Sequence, residues 1–144
     1  MNIIVSACLL GLCTRYDGSH NLSAPVLELS KKHNLIPVCP EQLGGLPTPR
    51  LPSEILGDDV INKEGQIVNP QFKKGADIAF KIAKICDCDI AILKQRSPSC
   101  GFGEIYDGSF SGTKVKGDGV FAKLLKNAGF AVYTEEDIKE IQNL

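Results

Sequence analysis

The sequence has no excess of charge of one sign: 16 Lys and Arg stand against 17 Asp and Glu, a formal net charge of -1, scattered rather than gathered in blocks. That removes the electrostatic footprint of a nucleic-acid binder and points to a small partner. The chain also lacks any apolar run approaching the ~20 residues that a membrane span needs. It shows no basic stretch followed by an apolar one at its start, so the expected location is cytoplasmic, with no membrane partner. No repeat or linker interrupts the 144 residues, a length that suits one domain over residues 1–144.

What the chain does have is cysteine, six in all. In a reducing cytosol that count points to metal binding or catalysis rather than to disulfides. Three of the six share a setting. The apolar run 3–7 stops at Cys8, the run 35–38 stops at Cys39 just before Pro40 and Glu41, and the run 89–93 breaks into the loop 93–103, LKQRSPSCGFG, which holds Cys100. Apolar runs that end in polar, Gly- and Pro-rich loops are typical of parallel strands, whose ligands bind beyond the carboxyl ends. If these strands are neighbours, Cys8, Cys39 and Cys100 converge on one edge of the sheet, which suits a metal or cluster site. Three thiolates at loop tips would leave one iron of an iron–sulfur cubane without a protein ligand. Zinc follows a similar logic, closed for structure and open for catalysis. Cys86 and Cys88, at the opposite end of the sheet, read as small buried hydrophobes.

Between the strands the pattern is β-α-β. Ser23 and Pro25 open a helix to about His33. The stretch 39–52, with four prolines and two glycines, is expected to hold no regular structure, and 53–69 reads as a hairpin excursion. Phe72, Ala76, Ile78, Ala79, Ile82, Ala83 and Ile85 hold helical spacing from Asn69. A Gly- and Ser-rich stretch, 106–118, suits a flap, and a helix over 117–128 precedes a fourth strand at 130–133. Thr134 is expected to cap a last helix through the amide of Asp137. The fold class is therefore α/β, with a mostly parallel sheet of about four strands plus a small β-hairpin excursion.

The tip Cys8-Leu-Leu-Gly-Leu-Cys13-Thr14-Arg15 resembles the phosphate loop of low-molecular-weight tyrosine phosphatases, but six residues separate Cys8 from Arg15 where that cradle has five. The Asp-Pro pair that supplies that family's acid does not occur. A non-catalytic nucleotide- or metal-binding module is a further alternative.

A longer resemblance covers essentially the whole chain. VSACLLG at 5–11, RYDG at 15–18, CPEQLGGLPTPR at 39–50 and LKQRSPSCG at 93–101 are similar to the signature blocks of the thiouracil desulfurase family. The resemblance implies a Rossmann-like three-layer domain holding a [4Fe-4S] cluster on three protein ligands, Cys8, Cys39 and Cys100, with one open iron. It implies removal of sulfur from a thiolated pyrimidine such as 2-thiouracil, releasing sulfide without net redox change. Glu41 and Ser97 match the catalytic positions. Many relatives place a cysteine immediately before the RYDG block; here Thr14 stands there and Cys13 precedes it. The chemistry of the residues agrees. A soft thiocarbonyl sulfur suits an open iron, and a carboxylate can take the proton of the attacking water, with Glu41 as base. Ser97 suits a hydrogen bond to the pyrimidine or a proton relay, with Ser99 as its rival. Arg15, Asp17 and Arg50 are candidate substrate-binding residues.

Overall fold

The computed structural model describes all residues, Met1–Leu144. Its strands in chain order are β1 Asn2–Ser6, β2 Asn34–Val38, β3 Ser53–Leu56, β4 Asp59–Asn62, β5 Ile90–Leu93, β6 Glu104–Tyr106, β7 Lys114–Lys116 and β8 Ala131–Thr134. The helices are α1 Ala24–Glu28, α2 Pro40–Leu43, α3 Asn69–Ile85, α4 Val120–Asn127 and α5 Ile138–Gln142. No helix is long and apolar enough to cross a membrane.

Four strands form one sheet in the order β2-β1-β5-β8, every pair parallel. Period-two alternation sends its side chains to two faces, and each face is covered by helices. Ile4, Ala91 and Leu93 pack with Ala76, Ala79 and Ala83 of α3 and with Phe121 and Leu125 of α4. Ile3, Val5 and Ile92 pack on the other side with Val26 of α1 and Ile141 of α5. Because Ile3, Ile4 and Val5 are all fully buried, β1 reads as a continuous apolar run, as a strand covered on both faces must. Burial of each such side chain contributes ~1.5–3 kcal/mol. Pro37 lies in β2, an edge strand of this sheet, where a missing N–H costs little. Two antiparallel hairpins, β3-β4 and β6-β7, stand outside the sheet. The architecture is the expected α/β three-layer one.

Three local readings need correction. The proline-rich stretch after Cys39 contains a helical turn, α2, because Pro40 sits at its start, where a fixed φ is favourable and no N–H is wanted. The stretch read as a flap holds a short hairpin, β6-β7. Thr134 ends β8 and does not cap the last helix through Asp137's amide; instead the carboxylate of Asp137 accepts the Thr134 N–H at 2.8 Å, and α5 begins at Ile138. The helix expected to run to His33 likewise stops at Glu28 and continues as a 3₁₀ turn, Leu29–Lys31.

Two glycines fix where α2 sits. A Cβ on Gly75 of α3 would lie 1.7 Å from the Pro40 carbonyl oxygen, and one on Gly44 would lie 1.9 Å from that of Gln71. Backbone meets backbone there, and only glycine permits it.

Candidate functional site

The parallel register sets Ser6 beside Val38 and Val5 beside Ile92, so the ends of β2, β1 and β5 lie side by side. Cys8 follows in the 3₁₀ turn Ala7–Leu10, Cys39 is the residue before α2, and Cys100 closes the turn after Pro98. All three line one cavity of about 450 Å³ together with Arg15, Glu41, Arg50, Ser97 and Ser99. None is in a disulfide. The convergence expected from three separate strand ends is what the fold produces.

The loop carrying Cys100 is pinned at both ends. Gln95 accepts the amides of Arg96 and Phe102 through Oε1 and donates from Nε2 to the Phe102 carbonyl, at 3.1, 2.9 and 2.9 Å. The first amides of α4 donate into the same loop: Val120 to Pro98, Phe121 to Ser99 and, just before them, Gly119 to Gly101, at 2.9, 2.8 and 2.7 Å. Helix donors that would otherwise lack partners thereby hold the loop's carbonyls. Ser97 Oγ accepts the N–H groups of Ser99 and Cys100, at 3.2 and 3.1 Å.

Glu41, on α2, faces this loop. Its Oε1 takes Arg50 Nε at 3.0 Å, with the two side chains only 5% and 13% exposed for Arg50 and Glu41. Its Oε2 accepts Ser99 Oγ at 3.2 Å, and Ser99 Oγ is in turn 3.0 Å from Ser97 Oγ. Ser97 therefore reaches the carboxylate through Ser99. Arg50 also donates to the Thr14 carbonyl at 2.8 Å and approaches Cys39 Sγ at 3.9 Å, tying the tip loop, the base candidate and one thiol together.

Burial raises all three thiols. It pushes Cys100 up to about 12, against the lowering effect of the Ser6 and Ser99 hydroxyls. It raises Cys8 against a hydrogen bond from Asn21, and Cys39 against local amides and Arg50. Three such thiols become thiolates together only beside a strongly cationic partner. A phosphatase nucleophile needs the reverse, a thiol with a depressed pKa. Arg15, the residue that would cradle a phosphate, spends Nη1 on Asn21 at 2.8 Å. Nor do three His, Cys, Asp or Glu side chains close on one point as the ligands of a single zinc ion would.

Two sequence candidates lie outside the cavity lining. Asp17 is exposed and holds its own turn, accepting Ser19 N at 3.0 Å and Oγ at 2.6 Å, which keeps its carboxyl below the usual range. Cys13 is exposed, and Cys86 and Cys88 lie at the far end of α3. The sequence reading missed Lys94, which lines the cavity and pairs with Glu135 at 2.9 Å, beyond the end of β8. Its signal was the fourth strand end, which was read only as a helix cap.

Comparison with known proteins turns this geometry into an assignment. A family described as 2-thiouracil desulfurase matches residues 3–137. The chain belongs to the 2-thiouracil desulfurase family. It is 42% identical, over 96% of its length and 99% of the relative's, to the uncharacterized protein YbbK of Bacillus subtilis (strain 168). Its fold matches that of a solved [4Fe-4S]-dependent thiouracil desulfidase, TudS, with a TM-score of 0.91 and 40% identity, covering 97% of this chain and 94% of that one. Members of this family are enzymes, and in this one the cavity that holds the three thiols also holds a carboxylate.

Proposed function

We propose that this protein acts as a single cytoplasmic domain that hydrolyses the carbon–sulfur double bond of a thiolated pyrimidine, 2-thiouracil being the simplest case, on a [4Fe-4S] cluster. The observation that carries the reading is the convergence of Cys8, Cys39 and Cys100 on one cavity with Glu41 among its lining residues. The donor set fits such a cluster: three soft thiols on one cavity, Cys100 buried and Cys8 and Cys39 half-buried, with the ion pairs of Arg50 with Glu41 and Lys94 with Glu135 along its lining. When bound through these three cysteines, the cluster would offer the thiocarbonyl sulfur an iron that has no protein ligand.

The chain's own groups do the rest. Arg50 engages Oε1 of Glu41 and keeps the carboxylate oriented, so Oε2 is the oxygen that accepts a proton from water as it attacks the ring carbon. Ser99, which donates to that oxygen, and Ser97, 3.0 Å from Ser99, form the route along which the proton passes to the departing sulfur or to a ring nitrogen. The balance is R₂C=S plus H₂O giving R₂C=O plus H₂S, with no change in electron count. Anaerobic reconstitution followed by sulfide assay over a panel of thiolated pyrimidines and nucleosides tests it. Loaded protein that releases no sulfide from any of them would sink the reading.

A further inference from the structure

Part of the cavity wall is made by the flap, through a residue that no sequence pattern singles out. Phe110 lines the cavity half-buried, with φ at +56°, a region that bulky side chains rarely adopt. One carboxylate holds it there. Oε1 of Glu54, on β3, accepts the amide of Gly108 at 3.0 Å and that of Phe110 at 3.1 Å. Gly108, at φ +94°, lets the flap lie directly on β3, since a Cβ there would be 2.7 Å from Leu56 Cβ. Unfavourable backbone of this kind persists only where its surroundings over-determine it, and it clusters at ligand clamps.

Resting on the desulfurase reading above, we propose that Phe110 is the platform on which the pyrimidine ring stacks, and that Glu54 is the positioning residue that presents it. A pyrimidine offers two flat faces, and an aromatic side chain is the protein group that covers one without demanding a particular edge pattern. The cavity has two other aromatic side chains. Tyr16 has the Arg15 guanidinium 5.3 Å from its ring centroid, and Tyr106 belongs to the β6 ladder opposite Lys114. Neither is held by a dedicated clamp.

The test uses reconstituted enzyme and metal-free protein side by side. Phe110→Leu keeps an apolar side chain but loses the π-face, and it should raise KM for 2-thiouracil about 5- to 150-fold, the range covered by base stacking, with kcat little changed. Phe110→Tyr should stay near wild type. Glu54→Ala should reproduce the KM defect, and Glu54→Gln, whose carbonyl oxygen still accepts both amides, should restore it. Glu54→Ala combined with Phe110→Leu should be no worse than Phe110→Leu alone, as when one residue acts through another. The chain contains no tryptophan, so Phe110→Trp places a sole indole on the flap. Uracil added to that metal-free variant should quench it saturably, and more weakly when Glu54→Ala is added. An unchanged KM in Phe110→Leu with no quenching overturns the platform, as does a KM defect confined to Tyr106→Leu. Failure of the desulfurase reading looks different: wild-type enzyme would release no sulfide, while uracil quenching would still decide the role of Phe110.

Discussion

Gly75→Ala adds one methyl group on α3, outside the cavity lining, and the structure places its effect at the site. The new Cβ would meet the Pro40 carbonyl oxygen at 1.7 Å, the Pro40 carbonyl carbon at 2.7 Å and Gly44 N at 3.0 Å. Both partners are backbone, so no side chain can swing aside and α2 must retreat by about 1 Å or more to reach an ordinary contact. Alanine gains ~0.8–1 kcal/mol of helix propensity over glycine, while overpacking costs ~1–3 kcal/mol. The net loss of stability should be at most about 2 kcal/mol, a fall in Tm of several degrees for a chain of this size. The functional loss should be larger in proportion, because α2 directly follows Cys39 and carries Glu41, whose bonds to Arg50 and Ser99 are 3.0 and 3.2 Å long. Misplacement by ~1 Å can cost ~10²-fold in rate. Circular-dichroism melting, iron content per chain and sulfide-release rate would be measured on the same preparation. A variant that melts at the wild-type temperature and turns over at the wild-type rate would refute the idea that this glycine crossing positions the site.

Replacing Cys8, Cys39 or Cys100 singly by Ala should abolish iron loading, measured as iron and acid-labile sulfide per chain, whereas Cys86→Ala and Cys88→Ala should load normally. Glu41→Gln should keep iron content but lower turnover by ~10²- to 10⁴-fold, the range of general base catalysis; unchanged turnover would move the base elsewhere. Burial pushes the Cys88 thiol up to about 11, so at pH 8 it holds its proton and alkylates slowly, while exposed Cys13 reacts first. Peptide mapping by mass spectrometry after brief alkylation checks that order, and its reversal would contradict the packing around Cys88.

The features legible in the sequence were those with a long period or a clean break. The run before Cys8 and the run before Cys100 belong to strands buried on both faces, and the helix from Asn69 to Ile85 repeats its apolar positions over 17 residues. What escaped depends on short elements and distant contacts. α2 was hidden because Pro40 was counted as a breaker, although proline is favourable at a first helical position. β7 has three exposed residues, Lys114–Lys116, and no alternation to detect. The Thr134 to Asp137 spacing was read in the wrong direction, since both halves of such a cap share one pattern and here the carboxylate reaches back. Glu54 meets Phe110, 56 residues later, and no local signal marks either partner.

The strand order explains why thiols rather than phosphates suit this crevice. The chain leaves β1 for β2 on one side, returns to β5 on the other and continues to β8, so the loops after β1 and β5 part and leave the crevice in which α/β sheets bind ligands. A dinucleotide-binding sheet fills that crevice by starting a helix directly after its first strand and aiming its free amides at a pyrophosphate. Neither condition holds here. After β1 the chain makes a 3₁₀ turn ended by Gly11 at φ +86°, and the next helix starts only at Ala24. At the end of β5 the helix that follows, α4, has its leading amides occupied by the carbonyls of Pro98 and Ser99. The amides that remain at a strand end, those of Glu41 and Gln42 at the start of α2, face the Cys39 thiol, and sulfur favours a soft cationic centre over a phosphate.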